Sequence, residues 1–194
     1  MKRPLFLRIP RKPDFIIGSP DKPYLLRWYI TPWSTCCRKD KHGNDIEWES
    51  ATLWQKLVRT LPNIYLHLIL RNDDDRALHD HPWPSISIIL QGGFWEITPD
   101  GQFWRKPGRA YWRKASALHR LELNSSGRDV AYYSSAEGCM MPDFVEFLIP
   151  CRTLFITGFR LREWGFACPK GWVHWRKFTA THNHGEVGAG CGEV

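Results

Sequence analysis

His79 and His81 stand two residues apart in His79-Asp80-His81-Pro82-Trp83-Pro84-Ser85, just ahead of the alternating run Ile86-Ser87-Ile88-Ile89-Leu90-Gln91. In extended chain, side chains alternate sides, so both imidazoles project from one face. Such a pair can grip a divalent ion once a third ligand arrives from elsewhere. His119, in Ala117-Leu118-His119-Arg120-Leu121, is the candidate. If strand phase survives Pro82 and Pro84, then His79, His81, Ser85, Ser87 and Ile89 share a face, with Ile86, Ile88 and Leu90 opposite. Two His and two Ser against an Ile/Ile/Leu face suit a wet cavity lining better than a plain core strand. The bland alternative is a surface histidine pair and a hydrogen-bonded strand His119.

Arginines supply a second chemistry. Arg71 and Arg76 flank the acidic loop Asn72-Asp73-Asp74-Asp75, and Arg76 is a candidate bidentate clamp for a substrate carboxylate or phosphate. Arg113 and Arg120 offer the same option. An arginine beside three aspartates more often simply pairs with one of them. His182 and His184 repeat the His-x-His spacing in the tail, without a strand to hold them. The six cysteines (36, 37, 139, 151, 168, 191) form no CxxC pair and no zinc-finger spacing, so free thiols are expected.

The elements that must position these groups are mostly strands. Residues 1–24 are rich in proline and basic residues and read as an extended arm; Tyr24–Ile30 is a strand. Leu53, Trp54, Leu57, Val58 and Leu61 recur at helical spacing, with Ser50 or Thr52 as cap and Pro62 as stop. This helix is expected to pack as a flap on a sheet. From Ile64 the texture is β. Ile64–Leu70 reads as a strand covered on both sides, and 85–91 as pairing with 94–98 across Gly92-Gly93. Turns are expected at Pro99-Asp100-Gly101-Gln102, Asn124-Ser125-Ser126-Gly127 and Pro169-Lys170-Gly171, with a loop at 136–143. Later strands are expected at 145–149, 152–158, 163–167 and 172–178. The Gly-rich segment 179–194 is expected to be disordered. The division is thus an arm, strand and helix (1–63), a barrel (64–178) and a tail (179–194), one domain in all.

With 194 residues and 43% apolar content, the chain is long enough for a sizeable core. Its 11 tryptophans must line either that core or a pocket. No run approaches the ~18 apolar residues of a membrane helix. The start Met1-Lys2-Arg3-Pro4-Leu5 lacks a signal-peptide core, so a cytoplasmic protein is expected. Lys and Arg exceed Asp and Glu by 27 − 20 = 7, for a sequence pI near 9.2. That excess could attract nucleic acid or a small anion. No nucleic-acid motif accompanies it, and a solvated basic surface is expected instead.

The central segment resembles the cupin superfamily, small jelly-roll barrels that often hold a metal in the barrel mouth. Its first motif is a His-x-His pair, a Glu four residues later and a Gly seven residues beyond; here His79, His81 and Gly92 match, and Ser85 replaces the Glu. Its second motif places a Pro-x-Gly turn before a third His and an Asn after it. His119 matches, but Lys114, Ser116 and Leu123 stand at the Pro, Gly and Asn. The resemblance implies an all-β double-stranded β-helix with three-histidine coordination by His79, His81 and His119. Three neutral imidazoles leave a divalent ion open positions for an anionic substrate, O₂ or water. Iron is the first expectation, with Zn, Ni or Mn also compatible. In such a barrel the late strands wall the pocket. That nominates Trp164 as a substrate contact, beside Ser85 on the histidine face and Arg113, and Arg162 and His174 as catalytic groups, His174 as a general base or as a donor to a metal ligand. The functional expectation is a dioxygenase of a small anionic or thiol substrate, similar in its three histidines to thiol dioxygenases. A non-catalytic ligand-binding module and a cupin-type isomerase are the alternatives, and dimerisation through sheet edges is expected by analogy.

Overall fold

The computed structural model describes residues 12–19, 21–31, 46, 49–73, 77–134, 139–180 and 186–192. Arg76, Asp74, Asp75, Cys36, Cys37, His182, His184 and the first eleven residues lie outside the described residues. Alternating apolar positions produce strands nearly throughout. The first are β1 (Phe15–Gly18), β2 (Pro23–Tyr29), β3 (Ile64–Ile69), β4 (Leu78–His79) and β5 (Ser85–Gln91). Next come β6 (Phe94–Thr98), β7 (Gly101–Arg105), β8 (Ala110–Arg113), β9 (Arg120–Leu123), β10 (Ser125–Ser134) and β11 (Cys139–Leu148). The last are β12 (Cys151–Thr157), β13 (Gly165–Cys168), β14 (Gly171–His174), β15 (Thr179–Ala180) and β16 (Glu186–Val187). Helices α1 (Leu53–Thr60) and α2 (Trp175–Phe178) interrupt them.

Six strands form an antiparallel sheet in the order β1-β2-β3-β12-β5-β8, so β12 returns from far along the chain to separate β3 from β5. The opposing layer is made of β14-β13-β4 and β7-β6-β9, joined by a bridge between His79 and His119. Both layers contribute side chains to one cavity between them. These crossings between two antiparallel layers make the fold an all-β jelly roll, as the resemblance implies. Leu25, Ile69, Ile89, Phe94, Leu123 and Cys151 form its buried core.

The phase of the strands agrees with the sequence period. In β5, Ser85, Ser87 and Ile89 are buried while Leu90 is exposed, so the polar face does turn inward. In β3, only Tyr65, His67 and Ile69 are fully buried, so one face of that strand is covered rather than two. The expected β5–β6 hairpin does not form: β5 pairs with β8 and β12, and β6 with β7 and β9. Gly92 (φ 78°) and Gly93 (φ 130°) turn a corner between layers instead. A Cβ on Gly92 would stand 2.5 Å from the Pro150 carbonyl oxygen, so the corner presses against the start of β12.

Other differences lie at the periphery. Residues 125–127, expected as a turn, and 139–143, expected as a loop, belong to the long hairpin β10–β11. Met140, Phe144, Val145 and Phe147 of this ribbon are exposed, so burial does not impose the alternation by which a strand is recognised there. Residues 175–178, expected as strand, form α2. Thr52 caps α1 through a capping box with Gln55, but Leu53, Trp54 and Leu57 are exposed and Val58 alone among its residues is buried. The described part of the tail is not disordered, because β16 pairs with β15 and Cys191 is bonded to Cys168. That disulfide also corrects the expectation of free thiols; Cys139 and Cys151 are free. No described helix is long and apolar enough to cross a membrane.

Candidate metal centre

The backbone brings the three histidines together before their side chains do. His79 ends β4 and exchanges two hydrogen bonds with His119, each N–H donating to the other's carbonyl at 2.9 Å. Two residues on, the His81 N–H donates to the Ala115 carbonyl at 3.0 Å, so the His-x-His segment is laced to the chain preceding β9. Asp80 lies between them with opposite phase and is buried. Its carboxylate accepts from the Gly165 N–H (2.8 Å) and the Trp172 indole N–H (3.2 Å), and pairs with Arg162. Alternation thus uses one face of the segment for the imidazoles and the other to clasp β13 and β14.

One ring nitrogen from each of His79, His81 and His119 lies within 4.8 Å of the others. The Nε2 atoms of His81 and His119 are 2.8 Å apart, and Nδ1 of His119 lies 2.8 Å from Oε1 of Glu96. Glu96 sits on the inward face of β6 between Arg113 and Arg105, the latter at 2.5 Å. Burial acts to raise its pKa, but hydrogen bonds from His119 and Arg113 outweigh it and hold the carboxyl well below the usual range. An ionised carboxylate only accepts, so Nδ1 of His119 donates to it and Nε2 is the ring nitrogen that faces His81. Burial lowers His79 to about 4 against the opposing pull of Asp73, and lowers His81 with help from the neighbouring histidines. Both rings are therefore neutral near pH 7, the state a metal requires.

This donor set fits a divalent ion. Three ring nitrogens converge, one imidazole is oriented by a carboxylate, and that carboxylate is occupied by two arginines rather than free to ligate. Among the described residues no other cluster of His, Cys, Asp and Glu has such geometry.

The centre opens into a cavity of about 320 Å³. Rings and aliphatic chains dominate its walls, notably Leu25, Ile69, Phe94, Phe155, Trp164 and Phe166. Of the residues nominated from sequence, Arg113 and Trp164 line it. Ser85 is buried beside it but does not reach it; its neighbour Ser87 does, and accepts from Nη1 of Arg113 at 2.8 Å. Arg162 and His174 lie outside the lining, engaged with Asp80 and with Glu163 (3.2 Å) respectively. Arg76 is outside the described residues.

Several groups had no motif to reveal them. Glu96 is preceded by alternating residues like any other strand glutamate. Asp73 approaches Nδ1 of His79 at 4.0 Å, while the acidic run around it reads as a solvated loop. His67 and Arg27 line the cavity, joined by a 2.9 Å hydrogen bond from Arg27 Nε, with the His67, Tyr65 and Phe155 rings packed near-parallel beside one another. A histidine on the inward face of an apolar strand was the available signal for this pair.

No family model matches the chain, and no curated protein does. Similar solved structures include a cupin-like protein from Thermotoga maritima, 13% identical over 86% of this chain and 89% of that one, with a TM-score of 0.41. An RmlC-like cupin protein from Ralstonia eutropha is 12% identical over 84% and 74% (TM-score 0.41). The polyketide cyclase RemF from Streptomyces resistomycificus is 14% identical over 81% and 78% (TM-score 0.41). At such distances these likenesses carry no information on activity, which rests on the site alone.

Proposed function

We propose that this chain is a cupin-like metalloprotein acting as a non-haem iron dioxygenase on a small, largely apolar substrate that carries an anionic group. One observation supports this above others: three imidazoles, with no carboxylate among them, converge on the wall of an apolar cavity. Iron(II), if bound there, would supply redox chemistry with O₂. His79, His81 and His119 hold the ion, and Glu96 keeps the proton on Nδ1 of His119 so that Nε2 stays a ligand. With three neutral ligands the ion keeps its full charge, which favours an anion beside it. Arg113 adds to this. It lines the cavity, and its Nη2 is buried with no hydrogen-bond partner among the described residues, a donor that an acidic ligand or an ordered water would satisfy. The surrounding rings exclude water and select an apolar body.

Metal analysis of protein purified without chelator tests the first step. About one iron per chain is expected, lost in His119→Ala; protein free of any transition metal would sink the reading. Oxygen uptake against a panel of thiols and 2-oxo acids tests the second. Stoichiometric metal without uptake or turnover would make the chain a binding module instead.

A further inference from the structure

Outside the metal centre, the cavity has one wall that is fastened differently from the rest. Phe178, Thr179 and Val187 line it beside the histidines, and all three belong to the segment after β14. Phe178 is fully buried, and its ring stacks on Phe166 at 3.6 Å and 10°. Phe166 in turn pairs with His79 in the β13–β4 ladder and lies 5.7 Å from its ring. The wall is thus two ring contacts from a ligand imidazole.

The outer part of this wall holds mainly to itself. Val187 and Glu186 pair with Thr179 and Ala180, and Gly188 and Gly190 both donate to the Phe178 carbonyl at 3.0 Å. Gly192 donates to Ala189. Among the described residues, the backbone hydrogen bonds of 186–192 therefore stay within the segment. The link from this stretch to the barrel is covalent: Cys191 is bonded to Cys168, the last residue of β13. Val187, at the rim, is 40% exposed, so one side of the wall already meets solvent.

We propose that the Cys168–Cys191 disulfide is a redox latch that holds the Phe178–Thr179–Val187 wall across the cavity, and that its reduction opens access to the histidine centre. A dithiol reductant supplies two electrons and two protons. The S–S bond breaks, Cys168 and Cys191 become thiols, and the reductant closes to its own disulfide. Phe178 then stays seated through its stack on Phe166 and through Trp175, which stacks on Trp164 and donates to its carbonyl, while 186–192 keep hydrogen bonds internal to the segment, the kind of unit that opens locally while the core stays folded. This inference concerns access to the cavity proposed as the ligand site, and its test is run on metal-free protein, so loss of the iron reading leaves it standing.

The full chain, stripped of metal by a chelator, is treated with diethyl pyrocarbonate in oxidised form, after reduction by dithiothreitol, and as Cys191→Ser. Modification of His79 and His81 is followed by peptide mass spectrometry. Reduction and the substitution are both expected to speed modification at least tenfold, with hydrogen exchange rising in 178–180 and 186–192 but unchanged in β5 and β12. Equal modification rates in all three forms would overturn the latch. So would free thiols at Cys168 and Cys191 in air-purified protein, or a matching rise of exchange in β5 and β12, which would mean global unfolding.

Discussion

Glu96 decides what kind of centre the three histidines make. Its carboxylate touches Nδ1 of His119, Arg105 and Arg113, and touches neither His79 nor His81. Glu96→Gln keeps the shape and removes the charge that holds the His119 proton in place. Removing such an orienting partner typically weakens metal affinity about 10–100-fold. Competition against a chromophoric chelator should show that loss for Co²⁺ or Zn²⁺, with His119→Ala weaker still. Unchanged affinity in Glu96→Gln would leave the carboxylate a mere counter-ion for the arginines. Ser85, standing where the cupin pattern has a Glu, left open either three-histidine coordination or loss of the metal, and the structure brings the three ring nitrogens together. Nothing near residue 96 announced the carboxylate, because it meets His119 only when β6 and β9 pair side by side.

At the scale of elements, the corner at Gly92-Gly93 shows why local pattern was not enough. Alternation in 85–91 and 94–98 correctly announced two half-buried strands. Glycines free to take positive φ serve a hairpin and a corner equally well, so partner choice was open. The tight approach of Gly92 to Pro150 comes from β12 entering between β3 and β5, a contact between residues 58 apart in sequence by 150 − 92. Gly92→Ala should cost about 1–3 kcal/mol, since it combines a strained φ with a Cβ inside contact distance of backbone. Urea denaturation measures it; a loss within error would mean that the corner relaxes freely. The Asp80 clasp belongs to the same scale. It absorbs Arg162, nominated from sequence as catalytic, into the contact that ties β4 to β13.

For the molecule as a whole, burial of histidines makes stability depend on pH. His67, His79 and His81 all have pKa values depressed by burial, His79 to about 4, whereas an unfolded histidine titrates near about 6.5. Between those values the unfolded chain binds protons that the folded chain refuses. Stability of the metal-free protein is therefore complete above about pH 6.5 and drains away as pH falls towards 4. Urea midpoints at pH 7.5, 5.5 and 4.5 should fall in that order, and a flat series would contradict buried neutral imidazoles. The sequence alone determined the strand-rich class, the shared face of His79 and His81 and the candidacy of His119, because strand period and ligand chemistry are local properties. Tertiary structure decided the rest: Glu96 on His119, Asp80 holding Arg162, and the apolar cavity with its disulfide-fastened wall. Each of these joins residues from different strands or layers, and side-chain type and spacing do not say which strands will meet.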